Sequence, residues 1–287
     1  MNIVSEPLVS SNSARRLPYL AVLRHRSLAI GSVLVVLVLA LIIIGPLFVH
    51  NPDAVNQNAA FDSPSVAHPF GTDSFGRDML SRVLDGGRYT IGAAVAVVVL
   101  GGLVGTVLGI VAGYFRGIVG FVIMRAVDVL LAFPGILLAL TAAAILGAGL
   151  TNGIYALAII AVPAYARVAE GATVKIRNRP YIDAAISSGV GSLQIIRRHV
   201  LRGVRADLLV LTSSWLGIAP LWIAALGFVG LGVHPPTPEW GSLLSDGQQY
   251  IAVAWWMTVF PGIFLTLFVV GVNLIGDGMR DQFDKTL

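Results

Sequence analysis

The stretch RVAEGATVKIRNRPYIDAAISSGVGSLQIIRRHVLRGVR, residues 167–205, is the longest charged segment in a chain that is otherwise strongly apolar. Long hydrophobic segments flank it on both sides. Each uncompensated charge would cost several kcal/mol inside hydrocarbon, so we expect this stretch to form a loop outside the bilayer. Its basic excess favours the cytoplasmic side. The eight basic residues are Arg167, Lys175, Arg177, Arg179, Arg197, Arg198, Arg202 and Arg205.

Two short helices are predicted within this basic loop. Pro180 suits the first turn of a helix, where a missing N–H leaves no hydrogen bond unmade. The Ala-rich run that follows ends at Gly189, a residue suited to a helix C-terminus. Ser192 could cap a second helix. Such a helical loop could dock into a groove of a partner protein, although a solvated loop without a partner fits the pattern equally well. Three apolar residues share one face of the second helix: Leu193, Ile196 and Val200.

The composition places the chain among polytopic membrane proteins. Of the 287 residues, 56% are hydrophobic and only 12% are charged, and the mean hydropathy is +0.83. Soluble domains carry about a quarter charged residues. The net charge of +4 follows the membrane topology and does not indicate a nucleic-acid partner. The absence of cysteine excludes disulfides, thiolate metal sites and thiol nucleophiles.

Six apolar segments are predicted to span the membrane. The first is longer than the apolar core of a signal peptide, so we interpret it as an uncleaved helix. With the N-terminal tail, residues 1–27, in the cytoplasm, all Lys and Arg residues except Arg77, Arg82 and Arg88 lie at the inner face. The predicted spans are residues 28–49, 89–112, 124–147, 152–169, 206–230 and 254–275. An external segment, 50–88, separates the first span from a core, 89–287, which contains the other five spans, the basic loop, 170–205, and an external loop, 231–253.

Several features within the predicted spans indicate how the helices pack. Arg125 and Asp128 lie one turn apart and can form an ion pair. Pro134 should kink the third span, and Gly217 with Pro220 should break the fifth. Glycine recurs every four residues in the second span and should let another helix approach closely. That stripe consists of Gly101, Gly105, Gly109 and Gly113.

Two polar segments are predicted on the external face. HPFGTDSFGRDMLSRVLDGGRYT, residues 68–90, brings Gly, Asp and Arg together as in a tight turn held by side chain–backbone hydrogen bonds. LGVHPPTPEWGSLLSDGQQY, residues 231–250, has three prolines and a tryptophan that we expect to be exposed. These segments could contact a partner protein or a ligand, or they could have a structural role as a rigid cap or plug. The candidate contact residues are Asp73, Arg77, Asp78, Glu239 and Trp240.

Four blocks of the sequence resemble the permease subunits of dipeptide and oligopeptide ABC importers, in particular their second permease subunit. Asp183-Ala184-Ala185, followed by Gly189 and then IIRRHVL, is similar to the cytoplasmic EAA loop of these proteins. The blocks HPFGTDSFGRD, LGVHPPTPEWG and GDGMRD are similar to two external segments and to the closing segment of the family. The chain departs from the pattern at Asp183, where Glu is usual, and at Arg202 and Lys285, where Pro is usual; the geometry at the end of the loop is therefore left open.

The resemblance implies an all-α membrane protein with six transmembrane helices, the type I ABC importer permease fold and a cytoplasmic coupling helix. It implies a non-catalytic subunit of the bacterial inner membrane, with both termini cytoplasmic, that forms half of a peptide-conducting pore. The implied partners are a second homologous permease, two ABC ATPase subunits and an extracytoplasmic substrate-binding protein. No cofactor is expected in this chain, because the ATPase subunits would bind ATP and Mg²⁺. The residues that match the ATPase-coupling segment are Tyr181, Asp183, Ala184, Ala185, Gly189, Leu193 and His199.

Other functions are weighed against this interpretation. Another cargo within the same importer class, such as a nickel chelate, glutathione, haem or an antimicrobial peptide, stays open. A secondary transporter would need ionisable residues at mid-span, which the helix centres almost entirely lack. An enzyme would need a nucleophile–base pair or a metal site, and the chain has no GxxxxGK phosphate loop, HExxH or GxSxG motif. Polar candidates for a pore lining, which could equally bond within or between helices, are Thr212, Ser213, Ser214 and Asn273.

Overall fold

The computed structural model describes residues 26–49 and 51–284, and only the backbone over residues 281–284. Of the predicted N-terminal tail, residues 1–25 lie outside the described part. The described residues form helices and no β-strand. Short 3₁₀ turns cover Gly45–Leu47 and Gln57–Ala59, and a π-helical turn covers Ile196–Val200. The α-helices are α1 (Arg26–Ile44), α2 (Met79–Phe115), α3 (Gly117–Leu131), α4 (Gly135–Leu146), α5 (Leu150–Arg177), α6 (Pro180–Ser187), α7 (Ser192–Ile195), α8 (Leu201–Phe228), α9 (Trp240–Gln248) and α10 (Trp256–Asp284).

Five helical segments are long and apolar enough to cross a membrane: α1, α2, α5, the joined α7 and α8, and α10. The pair α3 and α4 makes a sixth if it is counted as one span, but the two helices are bent by 93°. The sequence predicted one kinked helix over residues 124–147. The structure instead separates it into two helices at Pro134, because proline has no N–H to donate and disfavours helical backbone in the residue before it.

Several helix ends differ from the prediction; α5, for example, continues to Arg177, whereas the predicted span ended at residue 169. α2 begins at Met79, ten residues earlier than expected, because Oδ2 of Asp78 accepts a hydrogen bond of 2.8 Å from the N–H of Ser81 and caps the helix. The predicted external segment therefore includes the first turns of α2.

At the C-terminal end of the basic loop, Arg202 stands where the family usually has proline, and α8 continues directly from the π-helical turn. An arginine supplies the N–H that such a continuous helix needs.

The predicted breaks in the fifth span do not occur. α8 remains helical through Gly217 and Pro220, and both residues are buried. A proline is tolerated within a membrane helix when neighbouring helices and local adjustments satisfy the freed backbone groups. α5 likewise runs without a break through Pro163.

The glycine stripe of α2 packs against α5, which confirms the packing role expected for it. A Cβ atom at each of the four glycines would lie closer than 3.0 Å to atoms of α5. At Gly101 the nearest atom would be Cβ of Ala161, and at Gly113 it would be the carbonyl oxygen of Glu170. Only glycine therefore allows the two backbones to approach so closely.

A second close approach joins the first and last spans. A Cβ atom on Gly31 of α1 would lie 2.6 Å from the carbonyl oxygen of Gly271 in α10. Around the outer ends of α2, α9 and α10, buried apolar side chains form a core that includes Met79, Trp240 and Met257. These contacts make the external cap and the spans one packed unit.

Candidate coupling site and translocation path

The short helix α6 presents an exposed surface at the end of the molecule that carries the basic loop. Pro180 occupies its first turn, and Gly189 follows its C-cap residue Ser188 with φ of +78°. Both agree with the sequence prediction, since a positive φ favours glycine. Four residues of the predicted coupling set, Tyr181, Asp183, Ala184 and Gly189, are exposed, whereas Ala185 is half-buried.

The opposite side of α6 is anchored to the spans through Ile182, which is fully buried. The same apolar cluster contains side chains from α2, α5 and the start of α8, so α6 rests on the inner ends of three spans. A buried isoleucine contributes about 1.5–3 kcal/mol relative to an exposed one. The buried members besides Ile182 are Ile110, Tyr114, Ala169, Ala172, Ile195, Val200 and Val204.

The face predicted for the second helix of the basic loop is partly wrong. Val200 is buried as expected and Ile196 is half-buried, but Leu193 is 69% exposed. Ile195 takes the buried position instead. The π-helical turn widens the helix locally and shifts the side chains away from the regular helical spacing used in the prediction.

His199 of the basic loop lies beside α6. The centroids of the Tyr181 and His199 rings are 5.6 Å apart with an interplanar angle of 45°. Asp183 is paired with Arg177 at the end of α5, at a distance of 3.1 Å between Oδ1 and Nη1. These two surface contacts supplement the buried cluster that holds α6 on the spans.

The external residues Asp73, Arg77 and Asp78 form a tight turn, as the structural interpretation expected. Oδ1 of Asp73 accepts hydrogen bonds from the N–H groups of Phe75 (2.8 Å) and Arg77 (2.9 Å), and Oδ2 accepts one from Nε of Arg77 (2.6 Å). Asp78 caps α2 and also contacts Nδ1 of His68 at 2.9 Å. Both carboxylates are at most 5% exposed, so they have little surface left for a partner.

Glu239 and Trp240 are fully buried, which contradicts the expectation that they face outwards. Nε1 of Trp240 donates a hydrogen bond of 2.8 Å to the carbonyl oxygen of Val83 in α2. The Glu239 carboxylate caps α9 by accepting hydrogen bonds from the N–H groups of Gly241 and Ser242. The loop folds inwards because these polar groups find partners on α2 and α9 while the indole joins the apolar core.

Burial sets the protonation behaviour of Glu239. Removal from solvent raises the pKa of this carboxyl group, and hydrogen bonds from the Gly241 N–H, the Thr90 hydroxyl and the Ser242 N–H oppose that rise. Oγ1 of Thr90 lies 2.8 Å from Oε1 of Glu239 and also accepts a hydrogen bond of 3.1 Å from the N–H of Trp240. The three residues therefore tie the external loop to α2.

The four polar pore candidates take different places. Oγ1 of Thr212 accepts a hydrogen bond of 3.2 Å from the Tyr165 hydroxyl. Ser213 is buried, and Ser213 and Ser214 both donate to the carbonyl oxygen of Val210 in their own helix. Asn273 is exposed and lies against Gly217 of α8. Thr212, Ser213 and Ser214 therefore form hydrogen bonds within or between helices, which was the alternative to a pore lining.

A cavity of about 840 Å³ opens between α5 and α8 on the side of the basic loop, and Arg280 of α10 also lines it. Of the pore candidates, only Ser214 lines it. A shared cavity was not predicted for its charged residues, although the spacing of eight residues between Arg167 and Lys175 on α5 could have indicated a shared face. The charged lining residues are Arg167, Lys175, Arg179, Asp207 and Arg280.

Arg167 of this cavity also takes part in an ion-pair cluster with α3. It contacts Oδ1 of Asp128, whose Oδ2 lies 4.0 Å from Nη1 of Arg125. The predicted pair Arg125–Asp128, within α3, is therefore present and extends to a second helix, α5. Within residues 26–49 and 51–280, no group of three or more His, Asp or Glu side chains is arranged to hold a metal ion.

Comparison with known proteins agrees with this architecture. A family model described as "Binding-protein-dependent transport system inner membrane component" matches residues 105–287. The "Probable D,D-dipeptide transport system permease protein DdpC" of Escherichia coli strain K12 is 40% identical over 255 residues, which cover 88% of this chain and 86% of the relative. The "Glutathione transport system permease protein GsiD" of Pectobacterium atrosepticum is 42% identical and covers 79% of this chain and 75% of that protein.

A further relative is the "Dipeptide transport system permease protein DppC" of Alkalihalophilus pseudofirmus, which is 39% identical over 92% of this chain and 88% of the relative. Among solved structures, a chain of the MetNI methionine ABC transporter in inward-facing conformations aligns with a TM-score of 0.55 and 20% identity, over 70% of this chain and 97% of that one. That likeness supports the fold, a type I ABC importer permease. The chain belongs to the family of binding-protein-dependent transport system inner membrane components, the membrane components of ABC transporters.

Proposed function

We propose that this chain is a non-catalytic permease subunit of an ATP-driven importer of dipeptides or oligopeptides, and that it forms half of the translocation pore. The observation that carries the proposal is α6, whose exposed face is free for a partner while Ile182 anchors it to the spans. The names of relatives at about 40% identity support peptides as cargo. ATP and Mg²⁺ are bound by the partner ATPase subunits.

The proposed assembly contains a second homologous permease, two ATPase subunits and an extracytoplasmic substrate-binding protein. The concentration of basic residues around α6 and in the N-terminal tail supports an orientation with both termini in the cytoplasm. In that orientation the turn at Asp73 and the loop at Glu239 lie on the outer face. Because these side chains are buried, they shape the outer surface, and the binding protein contacts exposed neighbours such as Phe75.

Coupling follows from the rigidity of the contact between α6 and the spans. One ATPase subunit binds the exposed face of α6, including Tyr181, Ala184 and Gly189. A displacement of α6 reaches α8 through the cluster around Ile182 and Val200, because close-packed side chains transmit movement. The helices then move as largely rigid bodies, and the pore alternates between its two faces. Nucleotide drives this change only if the ATPase pair favours one of the two arrangements.

Reconstitution of the purified complex in liposomes, with binding protein outside and ATP inside, tests this function. We expect ATP-dependent uptake of a radiolabelled dipeptide or tripeptide. Hydrolysis by the partner subunits should rise when peptide-loaded binding protein is added. A chain that purifies without ATPase subunits, or a complete complex that imports no peptide, would contradict the proposal.

Glutathione is the second candidate cargo, because the relative with 42% identity carries that name. The same liposomes distinguish the two when labelled glutathione is compared with a tripeptide of ordinary α-linkages. Uptake of glutathione with no uptake of ordinary peptides would assign the chain to the glutathione branch. Uptake of the ordinary peptide with no uptake of glutathione would support the proposed cargo.

A further inference from the structure

The cavity between α5 and α8 carries an excess of positive charge. Arg167, Lys175, Arg179 and Arg280 line it, and Asp207 is its one acidic lining residue among those described. Arg167 is paired with Asp128, but the structure gives no carboxylate in ion-pair contact with the other three cations among the described side chains. These three cations outnumber the single acidic lining residue, Asp207, so the cavity attracts anions.

The cavity is elongated along the helices. Arg167 and Lys175 lie two turns apart on α5, and Gly203 and Ser214 lie three turns apart on α8. The rise of an α-helix, about 1.5 Å per residue, makes these separations roughly 12 Å and roughly 16 Å. A short peptide in extended conformation, at about 3.3 Å per residue, matches these dimensions. The volume of about 840 Å³ also falls within the usual range for sites that enclose small ligands.

Polar side chains continue from this cavity towards the membrane centre. Asn273 precedes Arg280 by seven residues, so the two lie on one face of α10. Asn273 lies against Gly217, which is one turn beyond Ser214 on α8. A lipid-facing surface at this depth would be apolar, whereas a line of polar groups suits a path filled with water. The cavity is therefore a better match to the cargo path than to an acyl chain.

We propose that this cavity binds the negatively charged groups of a peptide cargo, its C-terminal carboxylate or an acidic side chain, at the cytoplasmic end of the path. The inference rests on the proposed function and adds to it a place and a chemistry of recognition. Arginine can bind a carboxylate through two parallel hydrogen bonds, and lysine supplies a mobile point charge. Arg179, Arg280 and Lys175 are the cations available for these contacts.

A cysteine at Gly171, a lining residue, can report the electrostatic potential in the cavity. A Cβ atom at Gly171 would meet no atom within 4 Å, so a thiol there projects into open space. The natural chain has no cysteine, so Gly171→Cys gives a single reactive site in this chain, and labelling is quantified on this chain after the subunits are separated. Gly191→Cys in the basic loop is the matched control, because a Cβ atom there is equally unobstructed. Both variants are made in the complete transporter in lipid nanodiscs.

The measurement is the ratio of labelling rates with an anionic and a cationic thiosulfonate reagent of equal size. At Gly171→Cys we expect the anionic reagent to react faster. The double change Lys175→Gln and Arg280→Gln should lower the ratio of anionic to cationic labelling rates by roughly threefold to tenfold, because each lost positive charge slows the anionic reagent and speeds the cationic one. The ratio at Gly191→Cys should change by less than about twofold, because the removed charges are farther away and screened. Equal rates at Gly171→Cys, or a ratio that the double change leaves unaltered, would overturn the proposal.

Protection of Gly171→Cys from labelling distinguishes a peptide carboxylate from a lipid phosphate as the bound anion. An acidic tripeptide should slow labelling of Gly171→Cys, and its amidated counterpart with glutamine in place of glutamate should not. Protection that depends on the fraction of anionic lipid in the nanodisc, and that no peptide produces, would overturn the proposal in favour of a lipid phosphate. Neither readout depends on transport. Failure of the natural complex to import any peptide would overturn the proposed function, whereas normal uptake with an unaltered labelling ratio would overturn this inference alone.

Discussion

The hydroxyl group of Tyr165 in α5 donates a hydrogen bond of 3.2 Å to Oγ1 of Thr212 in α8. The Tyr165 ring also covers Gly102 of α2, where a Cβ atom would lie 3.1 Å from the ring. One buried side chain of α5 thus contacts two other spans, α8 and α2. The bond holds α5 and α8 together beside the cavity, since Leu211 and Ser214, which flank Thr212, line it.

A double-mutant cycle measures that bond. Tyr165→Phe and Thr212→Val should each lower the stability of the purified complex by about 1 kcal/mol, the usual net contribution of one hydrogen bond. The two changes together should cost little more than one, because both remove the same interaction. Tyr165→Phe combined with Ser214→Ala should be additive, since Ser214 bonds within its own helix. Additivity of the Tyr165 and Thr212 changes in thermal unfolding would contradict the contact.

The contact between α2 and α5 predicts different outcomes for two glycines of one helix. At Gly109 a Cβ atom would overlap the carbonyl oxygen of Ala166. Gly109→Leu should therefore prevent folding or cost about 3 kcal/mol or more, as overpacking does. Gly92→Leu should be tolerated, since a Cβ atom there meets nothing within 4 Å and the residue is exposed. The yield of folded protein in gel filtration, with both variants expressed alike, checks this. Equal yields would contradict the helix contact.

The cap of α9 predicts the effect of removing Glu239, whose carboxylate is the acceptor for the N–H groups of Gly241 and Ser242. Glu239→Ala should destabilise the complex by about 2 kcal/mol, because buried donors left without an acceptor carry the full cost of their desolvation. Gln248→Ala in the same helix is the control, since its side chain is exposed. A surface change of this kind should alter stability by less than about 0.5 kcal/mol. Thermal unfolding that is unchanged in Glu239→Ala would show that the loop does not fold inwards as described.

Glu239 also predicts a pH dependence. Its pKa is raised in the folded protein, chiefly by burial, from the ordinary value of 4.5. Between the two values the unfolded chain has lost a proton that the folded one retains, so stability should fall as the pH rises above about 4.5 and level off above the raised pKa. Glu239→Gln cannot ionise, and it should remove that decline. A stability profile from pH 4 to 8 that has the same slope in both proteins would exclude this contribution.

The sequence allowed the apolar spans and the role of the glycine stripe to be predicted, because hydrophobic length and glycine spacing act locally. The helix α6 was also predictable, since Pro180 and Gly189 mark its ends through their own backbone preferences. The resemblance to permease subunits predicted the family, which the family match confirms, and the fold, which the likeness to the MetNI chain confirms.

Other features depend on contacts between distant parts of the chain. Burial of Trp240 requires the carbonyl oxygen of Val83, which is 157 residues away. Proline composition suggested an exposed loop, but it carries no information about that partner. Exposure of Leu193 follows from a π-helical turn, which the regular helical period does not anticipate. The basic cavity likewise arises only when α5, α8 and α10 are brought together.

The central claim is that α6 couples this chain to an ATPase, and substitution of Ala184 tests it most directly. Ala184 is exposed and lies in the middle of α6, so Ala184→Arg leaves the packing of this chain intact. The reconstituted complex should retain its spans but lose at least about nine tenths of ATP-driven peptide uptake, because a buried unpaired charge in an interface costs several kcal/mol. Ala184→Ser, of similar size, should transport normally. Uptake by Ala184→Arg equal to that of the natural complex would contradict the account.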